Sequence, residues 1–207
     1  MNLPESNPCS HPLLVVVSGP SGVGKDHILS ALKHRTSSSN LAIIVTNTTR
    51  AMRPGEIQGT DYHFISLEEF QNLLSSGGLL EYANVYGNWY GVPRSAVRHA
   101  MESGKDVIIK VDVQGAMAIK KSIPDALLVF LIPSSMTELA ERLKKRNTET
   151  RDDLERRLKT AESEMMELPH FDYVIVNANG FANRVIDGIE SIITAEKLRV
   201  NPKECRI

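Results

Sequence analysis

The chain has 207 residues, enough for one large domain or for a domain carrying a subdomain. A hydrophobic content of 42%, a charged content of 24% and a net charge of −1 are those of a soluble globular protein. They argue against broad attraction to nucleic acid or to membrane surfaces. No apolar run approaches the roughly 20 residues of a membrane span. Met1 to His11 lacks the basic and then apolar pattern of a secretory signal and reads as an unstructured lead-in. Cys9 and Cys205 lie near opposite ends and read as two free thiols, which fits a reducing cytoplasm.

The first strong signal is a short apolar run, Leu13 to Ser18, followed by Gly19-Pro20-Ser21-Gly22-Val23-Gly24-Lys25-Asp26 and then by apolar residues at helical spacing from His27 to Lys33. Strand, glycine loop and helix in that order, with G-x-x-x-x-G-K in the loop, predict a phosphate-binding loop. The glycines let backbone N–H groups converge on one anion, and the helix N-terminus adds its dipole. Lys25 brings a full charge to the outer phosphates of a nucleoside triphosphate. Ser or Thr usually follows that lysine and holds Mg²⁺ through its hydroxyl. Here the position is Asp26. A carboxylate is a good Mg²⁺ ligand and also places negative charge beside the phosphates, and the residue types leave open which effect wins.

After a Ser-rich connector, His34 to Asn40, Leu41 to Val45 predicts a second strand. Thr46 to Arg50 leaves it and Arg53-Pro54-Gly55 follows. Two arginines three apart beside a turn make either a second anion site or a solvated basic loop. Asp61 to Ile65 alternates as a short strand. Ser66 and Glu69 form a capping-box pattern for a helix that runs to about Ser75 and stops at Gly77-Gly78. Leu79 to Tyr86 and Trp89 to Val92 read as a hairpin turned at Gly87-Asn88. Most of the aromatic residues fall in this region, which reads as a small-ligand subdomain or as a satellite hydrophobic cluster.

Pro93 opens a helix over Arg94 to Glu102. Asp106 to Asp112 reads as an interior parallel strand, with Asp112 at the C-terminal end where open α/β sheets bind ligands. A helix is expected over Ala116 to Ser122 and a strand over Ala126 to Ile132. Ser135 and Glu138 repeat the capping-box pattern before a helix. Basic residues then outnumber acidic ones from Arg142 to Lys159, which reads as a solvated helix face or as a lid whose arginines close over phosphates. A helix over about Arg151 to Glu167, a strand over Tyr173 to Asn177, an amphipathic helix over Phe181 to Leu198 and a frayed tail from Asn201 complete the chain.

Alternating strands and helices behind a phosphate loop predict an α/β fold, a P-loop NTPase-type parallel sheet wrapped by helices. The expected division is a core of 12–45, 93–133 and 161–200, an insertion over 46–92, a helical lid over 134–160, and flexible tails at 1–11 and 201–207.

Several motifs in one order resemble guanylate kinase. They are GPSGVGK at 19–25, TTR at 48–50, RPGEIQGTDYHF at 53–64, LLEYANVYGNWYG at 79–91, VDVQG at 111–115, RLKKRNTE at 142–149, ERRL at 155–158 and VIVN at 174–177. The resemblance spans about Leu13 to Leu198. It implies Mg²⁺-dependent transfer of the γ-phosphoryl group of ATP to GMP, with dGMP as a further acceptor. It implies neither a nucleic-acid nor a membrane partner, places the protein in the cytoplasm, and leaves monomer and homodimer open. By matching positions, the loop residues Gly19 to Asp26 and Asn177 belong to the ATP site, with Asp26 toward the metal. Arg50, Arg53, Tyr62 and Tyr90 belong to the GMP phosphate, and Thr46, Glu81 and Asp112 to the guanine or its neighbourhood. Lys25 and the lid residues Arg142, Arg146 and Arg157 are the expected catalytic cations.

The chain departs from the family pattern at four positions. Asp26 replaces a hydroxyl residue, although some members carry Asp there, and Val92 also stands where a hydroxyl is common. Asn147 replaces a lid glycine. Lys110 replaces an acidic residue, which either removes a carboxylate or compensates the charge that Asp26 adds. Other readings are a guanylate-kinase-like binding module, against which the intact loop and Lys25 argue, a GTP-hydrolysing switch, for which no N-K-x-D segment is present, and a kinase for another monophosphate.

Overall fold

The computed structural model describes residues 11–35, 40–85, 87–144 and 151–207. Cys9, Arg146, Asn147 and the tip of the expected lid lie outside the described residues.

The centre of the fold is β1 (Leu14–Ser18), all of it buried. Its side chains alternate between two cores, as a strand's period of two requires. Val15 and Val17 face α1 (Lys25–Arg35) and α7 (Ala182–Lys197) through Ile28, Leu32, Val185 and Ile189. Leu14 and Val16 face α3 (Arg94–Glu102) and α4 (Val113–Ser122) through Val97, Ala116 and Ile119. Burial on both faces explains why β1 reads as a continuous apolar run. It pairs in parallel with β7 (Asp106–Lys110) on one side and β8 (Leu127–Ile132) on the other. With β2 (Leu41–Ile43) and β9 (Tyr173–Val176) at the edges, the five-stranded order is β2-β7-β1-β8-β9.

A second sheet is built from residues between Asn47 and Pro93, in the order β4 (His63–Phe64), β3 (Asn47–Thr48), β6 (Asn88–Pro93), β5 (Leu79–Val85). The helix α2 (Leu67–Ser75) covers it and buries Phe70 against Trp89, ring centroids 5.8 Å apart. The Ser66 capping box forms in both directions. A third, smaller cluster joins α5 (Met136–Lys144) and α6 (Arg151–Met165) through Leu139, Leu143 and Ala161.

Four expectations need correction. Thr46 to Arg50 is not simply an exit from β2, because Asn47 and Thr48 pair with both β4 and β6 and seed the second sheet. The helix expected at Ala116 begins at Val113, since the Asp112 carboxylate accepts from the Gly115 N–H at 2.7 Å and caps it. The second capping box forms by half. Glu138 N–H donates to Ser135 Oγ at 3.1 Å, but the Glu138 carboxylate turns to the Ser134 hydroxyl, the Asn179 N–H and the Arg142 guanidinium. The charge-assisted bond to arginine outcompetes a neutral cap. The tail expected to fray from Asn201 instead packs, with Cys205 and Ile207 against the α3/α4 core and Lys203 beside Asp172. Cys205 is a free thiol there, its pKa pushed up by burial.

Candidate functional site

The loop between β1 and α1 is held open by backbone that only glycine adopts. Gly19 has φ of +142°, and a Cβ on it would fall 2.3 Å from the Leu131 carbonyl oxygen of β8. The far side of the loop is braced by its Val23 carbonyl, which accepts from Asn177 Nδ2 at 2.7 Å and from Arg142 Nη1 at 2.8 Å. Arg142 spends further donors on Glu138 and on the Asn177 carbonyl, at 2.6 and 2.7 Å. Arg142 and Asn177 thus sit behind the loop as struts and do not line the cleft in front of it.

In front of the loop, the Lys25 ammonium folds back onto the Gly19 carbonyl, and burial pulls its pKa below the ordinary value against the opposing pull of Glu164 and Asp26. Ser21 meets α6 twice. Its N–H donates to Glu164 at 3.2 Å, and its hydroxyl accepts from Arg157 Nη2 at 2.7 Å. Residues 157 and 164 are seven apart, two turns on one helix face, so that α6 aims a cation and an anion at the loop together. Glu164 escaped the sequence reading, although its spacing from Arg157 carries that signal.

The other wall of the cleft comes from the second sheet. Arg50 pairs with Glu56 at 2.7 Å, and its guanidinium lies 5.5 Å from the Tyr62 ring centroid. Tyr62 meets Tyr90 edge to face at 5.9 Å. Glu56 also accepts the Arg53 N–H at 2.8 Å, so one carboxylate sets the loop that presents both arginines. Sequence reading missed Glu56 as well, although an acid just beyond the Pro54-Gly55 turn is the residue that loop chemistry requires. Arg53 lines the same cleft with an exposed side chain.

Deeper in, Thr46 and Glu81 are buried. Glu81 Oε1 has no hydrogen-bond partner among the described residues. Burial, helped by the nearby Asp112 carboxylate, pushes Glu81 up to about 8. Its carboxyl lies against the first turn of α4 because Gly115 has no side chain; a Cβ there would stand 2.6 Å from Oε1.

Between the two walls lies the pair that the departures at 26 and 110 suggested. Lys110 bonds the Asp26 carboxylate, donates to the Tyr62 hydroxyl at 2.9 Å and stands 4.1 Å from the Tyr62 ring centroid. Burial lowers the Lys110 pKa, but Asp26 and Tyr62 outweigh it and leave the value above the ordinary one. No group of three or more metal-ligating side chains occurs among the described residues. A single carboxylate next to a phosphate loop nevertheless suits Mg²⁺, which is commonly held by one or two carboxylates and the substrate's phosphates.

Apart from Arg142 and Asn177, the charged groups of the loop, α6 and the second sheet line one cleft of about 980 Å³, at the upper end of small-ligand sites. It sits at the C-terminal ends of β1 and β7, where parallel sheets bind ligands. Its geometry offers a phosphate cradle at one end, an arginine–tyrosine anion site across from it, and an unsatisfied carboxyl beyond. Among the described residues no helix is long and apolar enough to cross a membrane.

Comparison with known proteins agrees with this arrangement. The guanylate kinase family profile matches residues 11–196. The chain is 42% identical to the guanylate kinase of Clostridium tetani over 189 residues, 91% of this chain and 88% of that one. It is 40% identical to guanylate kinase 2, chloroplastic/mitochondrial, of Oryza sativa over 201 residues, 97% and 70% of the two. A crystal structure of guanylate kinase from Anaplasma phagocytophilum superposes with a TM-score of 0.74 at 32% identity, covering 93% of this chain and 89% of that one. With the family profile matched over residues 11–196 and its fold shared with a solved guanylate kinase, the chain belongs to the guanylate kinase family.

Proposed function

We propose that the chain transfers the γ-phosphoryl group of ATP to GMP, giving GDP and ADP, in line and without a covalent intermediate. The observation that carries this reading is a buried carboxyl, Glu81, with an unpartnered oxygen in the same cleft as the phosphate loop. Guanine offers two adjacent donors, N1–H and the 2-amino group, and a carboxylate accepts both. Adenine places an acceptor at the same point. A site built to bond donors rejects the analogue lacking them by a factor on the order of 10⁴. The same contact serves dGMP, because the sugar takes no part in it.

In this reading the loop from Gly19 to Asp26 holds the ATP phosphates, with Lys25 on the outer ones. Arg50, Arg53, Tyr62 and Tyr90 hold the GMP phosphate, and Thr46 and Asp112 complete the base pocket around Glu81. Asp112 does so through α4, by capping it. Arg157 offsets charge on the transferring group, and Arg146 of the expected lid is assigned the same task. Arg142 and Asn177 act on ATP through the loop that they brace. Asp26 would hold Mg²⁺, which would supply neutralisation of the phosphate charge. Catalysis is then positioning and electrostatics, and exclusion of water protects the phosphoryl group from hydrolysis. A cytoplasmic setting belongs to the same proposal.

A coupled ADP-release assay offering GMP, dGMP, AMP, CMP and UMP in turn tests it. Turnover with the two guanine acceptors and little with the rest is expected. Turnover with another base, or none while both nucleotides bind, would contradict it.

A further inference from the structure

Lys110 is placed where the two halves of the cleft meet. One ammonium joins Asp26 at the start of α1, its own strand β7, and Tyr62 next to β4 of the second sheet. The Tyr62 hydroxyl also donates to Asp26 Oδ1 at 3.2 Å, which closes a three-membered cluster. Its members differ in access. The Asp26 side chain is 57% exposed and that of Lys110 15%. A solute in the cleft therefore reaches the carboxylate, while the ammonium exchanges one neighbour for another without passing into water.

The neighbour waiting on the other side is the anion site of Arg50, Tyr62 and Tyr90, which touches Lys110 through Tyr62. A phosphate monoester seated there carries nearly two negative charges and three strong acceptor oxygens. A carboxylate carries one charge, so the phosphate wins the ammonium. Asp26 is then left with an uncompensated charge beside the triphosphate, a state relieved by a divalent cation.

We infer that Lys110 is a switchable counter-ion coupling the two nucleotide sites: it holds Asp26 while the acceptor site is empty and turns to the acceptor phosphate when a nucleoside monophosphate binds, releasing Asp26 for a divalent cation. The inference rests on the reading that this cleft takes GMP. It makes Lys110 a positioning residue.

The test is a binding titration without turnover. Mg²⁺ is titrated against the full chain with a non-hydrolysable ATP analogue, with and without GMP. In the wild type GMP lowers the Mg²⁺ midpoint by about tenfold, within the usual range of coupling between sites. In Lys110→Met the midpoint is already low and GMP leaves it in place; Lys110→Arg restores the shift. Asp26→Asn, a change at an exposed side chain, also loses the shift and serves if Lys110→Met does not fold. An equal GMP shift in wild type and Lys110→Met overturns the inference, as does a wild type that binds GMP with no shift. A wild type that fails to bind GMP at all overturns the reading of the acceptor site itself.

Discussion

At the scale of single residues, Glu81 carries the most consequence, because its pKa of about 8 keeps it protonated at neutral pH in the empty protein. In the proposed reading guanine requires the ionised form, so GMP binding should expel a proton. GMP affinity should rise with pH between about 7 and 8.5, approaching tenfold per unit below the pKa. Calorimetry in buffers of different ionisation heat reads the released proton, and Glu81→Gln should abolish both effects. For stability the sign is opposite. The folded protein keeps a proton that the unfolded chain loses near 4.5, so the contribution of Glu81 is present below that value and is lost as pH rises toward 8. Gly115→Ala makes a second residue-scale test. Its Cβ would stand 2.6 Å from Glu81 Oε1, and a flexible carboxyl yields more readily than backbone. The fold should survive while KM for GMP rises roughly tenfold or more, with ATP binding unchanged.

At the scale of elements, the sequence announced what is local and missed what is not. The glycine loop, the Ser66 capping box and the limits of α3 are written within a few neighbouring residues, and the structure places them as read. Ser66→Ala should therefore cost about 1 kcal/mol in denaturant unfolding, the usual worth of a cap. Arg142 shows the other case. A lid arginine was legible, but its partners Val23 and Asn177 are far away in sequence, so its bracing position was not. Glu138 fits a capping box by pattern and was drawn off by that same arginine. Asp112 was legible as a strand-end carboxylate and not as the cap of α4. Asp112→Ala should therefore act twice, weakening α4 by about 1 kcal/mol and, by removing a neighbouring negative charge, lowering the Glu81 pKa. A pH titration of GMP binding reads the second effect as a shift of the profile to lower pH.

At the scale of the molecule, function depends on two sheets set across one cleft. The parallel sheet presents the glycine loop, the antiparallel hairpin presents Glu81, the proposed base reader, and Lys110 spans the gap between them. The alternation of strands and helices predicted the first sheet. The second was harder to read, because β3 and β4 are two residues each and gain their identity only by pairing. Binding energy from both walls must act at once for transfer to occur, so an error in the base reader appears as a loss of acceptor choice. The most direct measurement is the ratio of kcat/KM for GMP over AMP, in the wild type and in Glu81→Gln. A wild-type ratio on the order of 10⁴ is expected, collapsing in the variant chiefly through loss of GMP turnover. A ratio that Glu81→Gln leaves unchanged would contradict it.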